Sequence, residues 1–156
     1  KGLEKLTQLT TLGLSYNQLT EVPKGLEKLT QLEVRSLSLN GLTELPKGLE
    51  KLTQLTTLNL ARNKLTNVKG LEKLTQLTVL QLSNNQLTDV KELAKLTQLK
   101  RLHLQNNRNL TDVSALAGLT QLRFINLNNN PKLTKAEIAK LQTALPNCDI
   151  VPKVTK

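Results

Sequence analysis

The chain repeats one pattern of leucines and asparagines along almost its whole length. Six copies of Leu-x-x-Leu-x-Leu-x-x-Asn-x-Leu, or variants of it, begin at Leu9, Leu32, Leu55, Leu77, Leu99 and Leu122. The asparagines lie 22 or 23 residues apart, at Asn17, Asn40, Asn63, Asn85, Asn107 and Asn130. A unit this short cannot bury its leucines alone, so neighbouring units must supply the rest of the core. The pattern therefore predicts six repeats stacked around one continuous core.

Each repeat divides into two segments of different character. The Leu-x-Leu part alternates apolar and polar residues, which predicts a short strand with one buried face. The second half reads Gly-Leu-Glu-Lys-Leu-Thr-Gln-Leu at Gly2, Gly25, Gly48 and Gly70, and leucines three residues apart suit 3₁₀ turns. The Asn after each strand is predicted to bond to backbone groups that the turn leaves unpaired, which is a structural role.

These repeats resemble those of the leucine-rich repeat family, and the 22-residue units are similar to the class found in bacterial internalins. The resemblance covers nearly the whole chain. It implies an α/β fold, a right-handed horseshoe-shaped solenoid with a parallel β-sheet on the concave face and 3₁₀, short helical or loop segments on the convex side. We divide the single domain, residues 1–156, into a partial repeat (1–8), six repeats (9–133) and a C-terminal cap (134–156).

The C-terminal end is predicted to be closed. Thr134-Lys-Ala-Glu137 matches a capping box, and residues 136–145 can form an amphipathic helix across the last repeat. Cys148 is then a small, buried apolar residue in a final extended segment that ends at Val151.

The N-terminal end carries Leu3, Leu6 and Leu9 without a polar segment to cover them. Solenoids need polar caps for solubility. We therefore expect an exposed apolar end that leaves the chain monomeric or weakly self-associating, and further repeats or a cap before residue 1 in a longer protein.

Arg35 stands at a strand position where the other repeats have Leu or Ile. A buried unpaired charge costs several kcal/mol. Either the strand slips locally, or the aliphatic stem is buried while the guanidinium reaches water or backbone carbonyls.

A binding site is predicted on the concave face, because the outward strand positions vary between repeats while the convex segments barely change. The candidate partner-binding residues lie in repeats five and six and are Lys100, Arg101, His103, Arg123, Phe124 and Asn126. Arginine and aromatic residues dominate binding hot spots, and Arg101, Arg123 and Phe124 are expected to be neighbours on adjacent strands. Alternatively, Phe124 covers the edge of the last strand beneath the cap.

A secondary apolar patch is predicted at the other end of the concave face, from Tyr16, Val34 and Leu39. Contiguous exposed apolar side chains can mark an interface.

The net positive charge of the chain is also compatible with an anionic partner. The formal net charge is +10, and residues 91–156 hold 11 basic and 4 acidic side chains. An anionic polymer, nucleic acid or glycan, is the alternative to a protein ligand, although Phe124 alone could act as an aromatic platform. A consensus-like or engineered scaffold without its own ligand is the second alternative.

Catalysis, metal binding and cofactor binding find no support in the sequence. His103 is the single histidine and Cys148 the single cysteine, and the expected neighbours of His103, Gln81 and Asn126, include no carboxylate to orient it. No apolar run approaches the roughly 20 residues that a membrane span needs.

Overall fold

The structure is a computed structural model that describes residues 3–153. Seven short parallel strands form one open sheet in sequence order. The strands are β1 (Thr11–Gly13), β2 (Val34–Ser36), β3 (Thr57–Asn59), β4 (Val79–Gln81), β5 (Arg101–His103), β6 (Phe124–Asn126) and β7 (Asp149–Val151). Corresponding residues of successive repeats pair directly, as Leu58 does with Leu80. The predicted parallel solenoid with one strand per repeat is confirmed.

The convex side consists of 3₁₀ turns, as the three-residue leucine spacing predicts. They span Leu3–Lys5, Leu26–Lys28, Leu49–Lys51, Leu71–Lys73, Lys91–Lys95 and Ser114–Gly118. Gly48 precedes one of them in the left-handed region, at φ 86°. A Cβ at Gly48 would lie 2.6 Å from Cβ of Glu27, so the close stacking of repeats also requires glycine there.

The core lies between the sheet and the 3₁₀ turns and consists almost entirely of leucine. Leu58, Leu80 and Leu102, at the centres of β3, β4 and β5, are each 0% exposed. The repeats therefore bury their leucines against one another, as a stack of small units must.

The repeated asparagines bind one repeat to the one before it. Asn85 donates from Nδ2 to the carbonyl oxygens of Leu60 (3.0 Å) and Leu82 (3.1 Å), and its Oδ1 accepts from the backbone N–H of Leu65 (3.0 Å). Asn40, Asn63, Asn107 and Asn130 make similar bonds. The predicted structural role of these residues is confirmed.

The C-terminal helix α1 spans Lys135–Ala144, one residue earlier than predicted. The capping box is present, because Oγ1 of Thr134 accepts from the N–H of Glu137 (3.2 Å) and the Glu137 carboxylate accepts from the N–H of Thr134 (2.8 Å). Ile138 and Leu141 are buried against the last repeat. The following segment pairs with β6 as β7, which confirms the predicted extended segment.

Cys148 lies just before β7 and is half-buried, with its side chain packed against the core. Burial raises the pKa of its thiol to about 11. The thiol is therefore protonated at neutral pH and packs as a small side chain, rather than fully buried as predicted.

The N-terminal end exposes apolar surface. Leu6 is 48% exposed, whereas Leu29, at the equivalent position of the next repeat, is 0% exposed. Leu3 and Leu9 are half-buried.

Neither predicted accommodation of Arg35 is correct. The strand does not slip, since Arg35 pairs in register with Leu12 and Leu58. The side chain is 0% exposed, and its three guanidinium nitrogens have no hydrogen-bond partner. Pairing on both sides of β2 fixes the backbone, so the side chain enters the leucine core with its charged group. Burial lowers the pKa of Arg35 to about 10.

Candidate functional site

The six predicted residues of repeats five and six lie together on the concave face, and we call them the β5–β6 patch. Arg101 lies opposite Phe124, and His103 lies opposite Asn126. The N–H of Arg123 donates to the carbonyl oxygen of Lys100 (2.9 Å), so these two residues also adjoin. The expectation that Arg101, Arg123 and Phe124 are neighbours is confirmed.

His103 and Phe124 form an aromatic pair across the two strands. Their ring centroids lie 5.3 Å apart with the planes tilted by 49°, within the range of favourable aromatic contacts. Phe124 thus packs against a side chain of β5, and the backbone of β7 pairs with the outer edge of β6. Phe124 is therefore not needed to cover that edge, which was the alternative interpretation.

The cations of the patch differ in how they are held. Arg123 donates from Nη1 to the carbonyl oxygens of Thr120 and Leu122, both at 3.1 Å, which anchors its guanidinium to its own loop. Lys100 and Arg101 are exposed, and neither side chain forms a hydrogen bond or ion pair with any described residue. Arg101 is consequently free to bind a group from outside.

Three carboxylates of the last repeats and the C-terminal cap are engaged elsewhere. Asp149 of β7 forms an ion pair with Lys153, and Glu137 completes the capping box of α1. Asp112 accepts from the N–H of Ser114 (2.7 Å), a hydrogen bond that lowers its pKa. The positive charge of Lys100 and Arg101 is therefore not neutralised within the described part of the chain.

His103 titrates in a positive, partly apolar environment. Its pKa is lowered, first by burial and second by the charge of Arg101. The imidazole is therefore neutral at pH 7, and the ring pair presents an uncharged surface beside a cation.

The secondary residues Tyr16, Val34 and Leu39 lie in the first two repeats, and the N–H of Tyr16 donates to the carbonyl oxygen of Ser38, next to Leu39 (3.1 Å). Tyr16 is 77% exposed and Val34 37% exposed, while Leu39 is half-buried. Tyr16 and Leu39 occupy equivalent turn positions, but Ser36 and Ser38 lie between Val34 and Leu39. Their hydroxyls hydrogen-bond to one another and to that of Ser15, so a polar cluster adjoins the predicted apolar patch.

A flank groove of about 950 Å³ was not predicted from the sequence. It lies between the loops of residues 20–27 and 42–51, next to residues 69–70. The Val-Pro-Lys and Leu-Pro-Lys insertions of repeats one and two are the sequence signal for it. Its four glutamates and four lysines balance in charge, so the groove has no evident preference for a charged ligand.

Within residues 3–153, no three or more His, Cys, Asp or Glu side chains group in a way that could hold a metal ion. No helix in that range has the length and apolar character needed to cross a membrane.

Family comparisons agree with the repeat architecture. The family described as leucine-rich repeat region matches residues 1–115, and the family of two-copy leucine-rich repeats matches residues 97–141. Among curated proteins no significant match is found.

Several solved structures are similar to this chain. An internalin of Listeria monocytogenes, InlF, has a TM-score of 0.84 and 32% identity over 95% of this chain and 42% of its own. A leucine-rich repeat protein of Leptospira interrogans has a TM-score of 0.84 and 37% identity over 95% of this chain and 38% of its own. The chain therefore spans less than half the length of either.

A plant receptor structure that contains a bound partner is also similar. The ectodomain of the membrane receptor kinase GASSHO1/SCHENGEN3 from Arabidopsis thaliana, solved in complex with CASPARIAN STRIP INTEGRITY FACTOR 2, has a TM-score of 0.68 and 34% identity. The match covers 81% of this chain and 16% of the receptor chain.

Proposed function

The chain belongs to the leucine-rich repeat family, and from that premise we propose that it is a protein-binding module that uses its concave sheet and catalyses no reaction. Leucine-rich repeat domains are in general protein-binding modules, and one similar ectodomain was solved with a partner bound. The concave sheet of a stacked solenoid also provides an extended, curved surface, which suits a protein ligand better than a small substrate.

The observation that carries this proposal is the composition of the β5–β6 patch. It combines a free, exposed Arg101 with the rings of His103 and Phe124 at 5.3 Å. Arginine and aromatic side chains dominate hot spots in protein interfaces. The concave positions of β3 and β4 are small or neutral by contrast, with Thr57, Asn59, Val79 and Gln81.

An affinity capture with matched variants tests the proposal. We expect Arg101→Ala/Arg123→Ala/Phe124→Ala to lose, at moderate salt, a protein partner that the wild-type chain retains. The control is Lys28→Ala/Lys51→Ala/Thr53→Ala, three exposed residues outside the patch, and it should retain that partner. If both triple variants behave like the wild type while melting at the same temperature, the patch is not the binding site.

An anionic polymer is the second candidate ligand of the same patch, favoured by the unneutralised charge of Lys100 and Arg101. Binding of a DNA duplex or a heparin fragment that weakens steeply as salt rises, with no protein retained at moderate salt, would favour this candidate. Retention of neither class would favour a scaffold without its own ligand.

The exposed N-terminal end supports weak self-association as a further property. Leu6 is 48% exposed there, and exposed apolar surface promotes association. Sedimentation velocity should give a mass that rises with concentration, and Leu6→Glu should abolish the rise. A mass that stays monomeric at high concentration contradicts this proposal.

A further inference from the structure

Arg101 presents an unpaired guanidinium on the concave face. Arg101 is exposed, and its guanidinium has no partner among the described residues. Lys100 adjoins it in the chain and is equally unpaired. The planar guanidinium fork fits a carboxylate with two parallel hydrogen bonds, and such charge-assisted pairs are about twice as strong as neutral ones.

Positive charge is concentrated at one end of the concave face. The outward positions of β3 and β4 are uncharged, and Glu33, just before β2, is exposed and acidic. Arg62 is one exposed cation shortly after β3, whereas Lys100, Arg101 and Arg123 adjoin one another at β5 and β6. Asp149, on the next strand, is paired with Lys153 and does not compete for Arg101.

The arrangement fits a protein segment better than a polyanion. Phosphate polymers are held by tracks of lysine and arginine, with several aromatic platforms where single strands bind. The patch instead has two free cations, one anchored Arg123, and a single ring pair half-buried beside them. A short run of carboxylates with an apolar side chain between them matches this combination.

We infer that the β5–β6 patch binds an acidic, extended protein segment, with a carboxylate on Arg101 and an adjacent apolar side chain on the rings of His103 and Phe124. This inference rests on the proposed protein-binding function and specifies the chemistry of the partner. Arg123, fixed by Thr120 and Leu122, adds positive charge without having to reorder.

Synthetic peptides of about ten residues supply the probe. One alternates Glu with Leu, a second replaces Glu by Gln, and a third replaces Leu by Ser. Binding to the full chain is followed by fluorescence anisotropy at about 0.15 M NaCl, where exposed charges interact only over about 8 Å. We expect the Glu–Leu peptide to bind about tenfold more tightly than the Gln–Leu peptide, as one charge-assisted bond implies.

Single substitutions separate the contribution of the charged contact at Arg101 from that of the apolar contact at Phe124. Arg101→Gln should weaken Glu–Leu binding about tenfold and leave the Gln–Leu peptide unchanged. Phe124→Ala should remove the preference for Glu–Leu over Glu–Ser. Arg62→Gln is the matched control, since Arg62 is also exposed but lies in repeat three, and it should change neither affinity.

Several outcomes would overturn the inference. These are equal binding of the Glu–Leu and Gln–Leu peptides, no binding of the Glu–Leu peptide at millimolar concentration, or equal losses in Arg101→Gln and Arg62→Gln. A heparin fragment or single-stranded oligonucleotide that binds more tightly than the Glu–Leu peptide would assign the patch to polyanions. If the captured protein still depends on Phe124 while Arg101→Gln has no effect, the proposed function stands and the acidic partner does not.

Discussion

Repeats two and four have equivalent backbones, but the side chain at the centre of the strand is charged in repeat two and apolar in repeat four. β2 and β4 both pair in register on each side. At the centre of β4, Leu80 is 0% exposed among other leucines, and at the centre of β2, Arg35 is equally buried without a hydrogen bond. The stack as a whole therefore sets the backbone of each repeat. A single unsuited side chain is then buried at a local energetic cost, rather than changing the fold.

Replacing Arg35 by leucine would give repeat two the same apolar interior as repeat four and should change the stability most. Arg35→Leu should raise the free energy of unfolding by about 3 kcal/mol, because it removes an unpaired buried charge and fills the site with an apolar side chain. Urea denaturation of both proteins measures the change. The control Arg62→Leu replaces an exposed arginine and should change stability by less than about 0.5 kcal/mol.

The same comparison has a pH dependence with a defined sign. Burial lowers the pKa of Arg35 from its ordinary value to about 10, so between these two values the unfolded chain binds more protons than the folded chain. The penalty is therefore complete below about pH 10 and declines as pH rises toward the pKa of an unburied arginine. The gap between the two pKa values corresponds to about 3 kcal/mol. A stability gain in Arg35→Leu that does not shrink above pH 10 would contradict a buried charge as its cause.

The repeated asparagines differ in burial and hydrogen bonding between the first repeat and the middle of the stack. Asn85 is buried between two repeats and bonded to both, whereas Asn17 is exposed and donates to Ser15 of its own turn (2.9 Å). Asn85→Ala should cost about 2 kcal/mol, because it leaves buried backbone groups unpaired. Asn17→Ala should cost less than about 0.5 kcal/mol. Equal losses in thermal unfolding would mean that the asparagines do not act by joining repeats.

The fold was predictable from the sequence because the leucines and asparagines that specify it recur at a regular spacing. Six in-phase copies of one pattern specify strand, turn and 3₁₀ segment together, and Thr134 with Glu137 marked the start of α1. The burial of the Arg35 guanidinium was not predictable. A slipped strand and a guanidinium that reaches water or carbonyl groups are both expectations for repeat two in isolation. In the stack, β1 and β3 hold β2 in place, and that constraint comes from neighbours rather than from the sequence around Arg35.

The candidate site was predictable as a set of neighbours but not in its detail. Strand register follows from the repeat period, and it places Arg101 beside Phe124. Side-chain rotamers do not follow from the period. The tilt of His103 against Phe124 and the anchoring of Arg123 to its own loop therefore came only from the structure. The flank groove was missed because it depends on how two Pro-containing loops project.

The two ends of the concave face also differ in their side-chain chemistry. The β5–β6 patch contains an imidazole, His103, whereas Tyr16, Val34 and Leu39 carry none. The groups around His103 on β4, β5 and β6 are Gln81, Arg101, Phe124 and Asn126, and among them only Arg101 is charged. That charge and burial lower the pKa of His103.

A carboxylate bound to Arg101 would offset the repulsion and raise the pKa of His103 in the complex. The Glu–Leu peptide should therefore bind more tightly below the pKa of free His103 than above the pKa of the bound form, by less than the loss expected for Arg101→Gln. His103→Gln should remove this pH dependence while Arg62→Gln retains it. A slope that persists without His103 would trace the pH effect to the peptide's own carboxylates, and the imidazole would then be only the packing partner of Phe124.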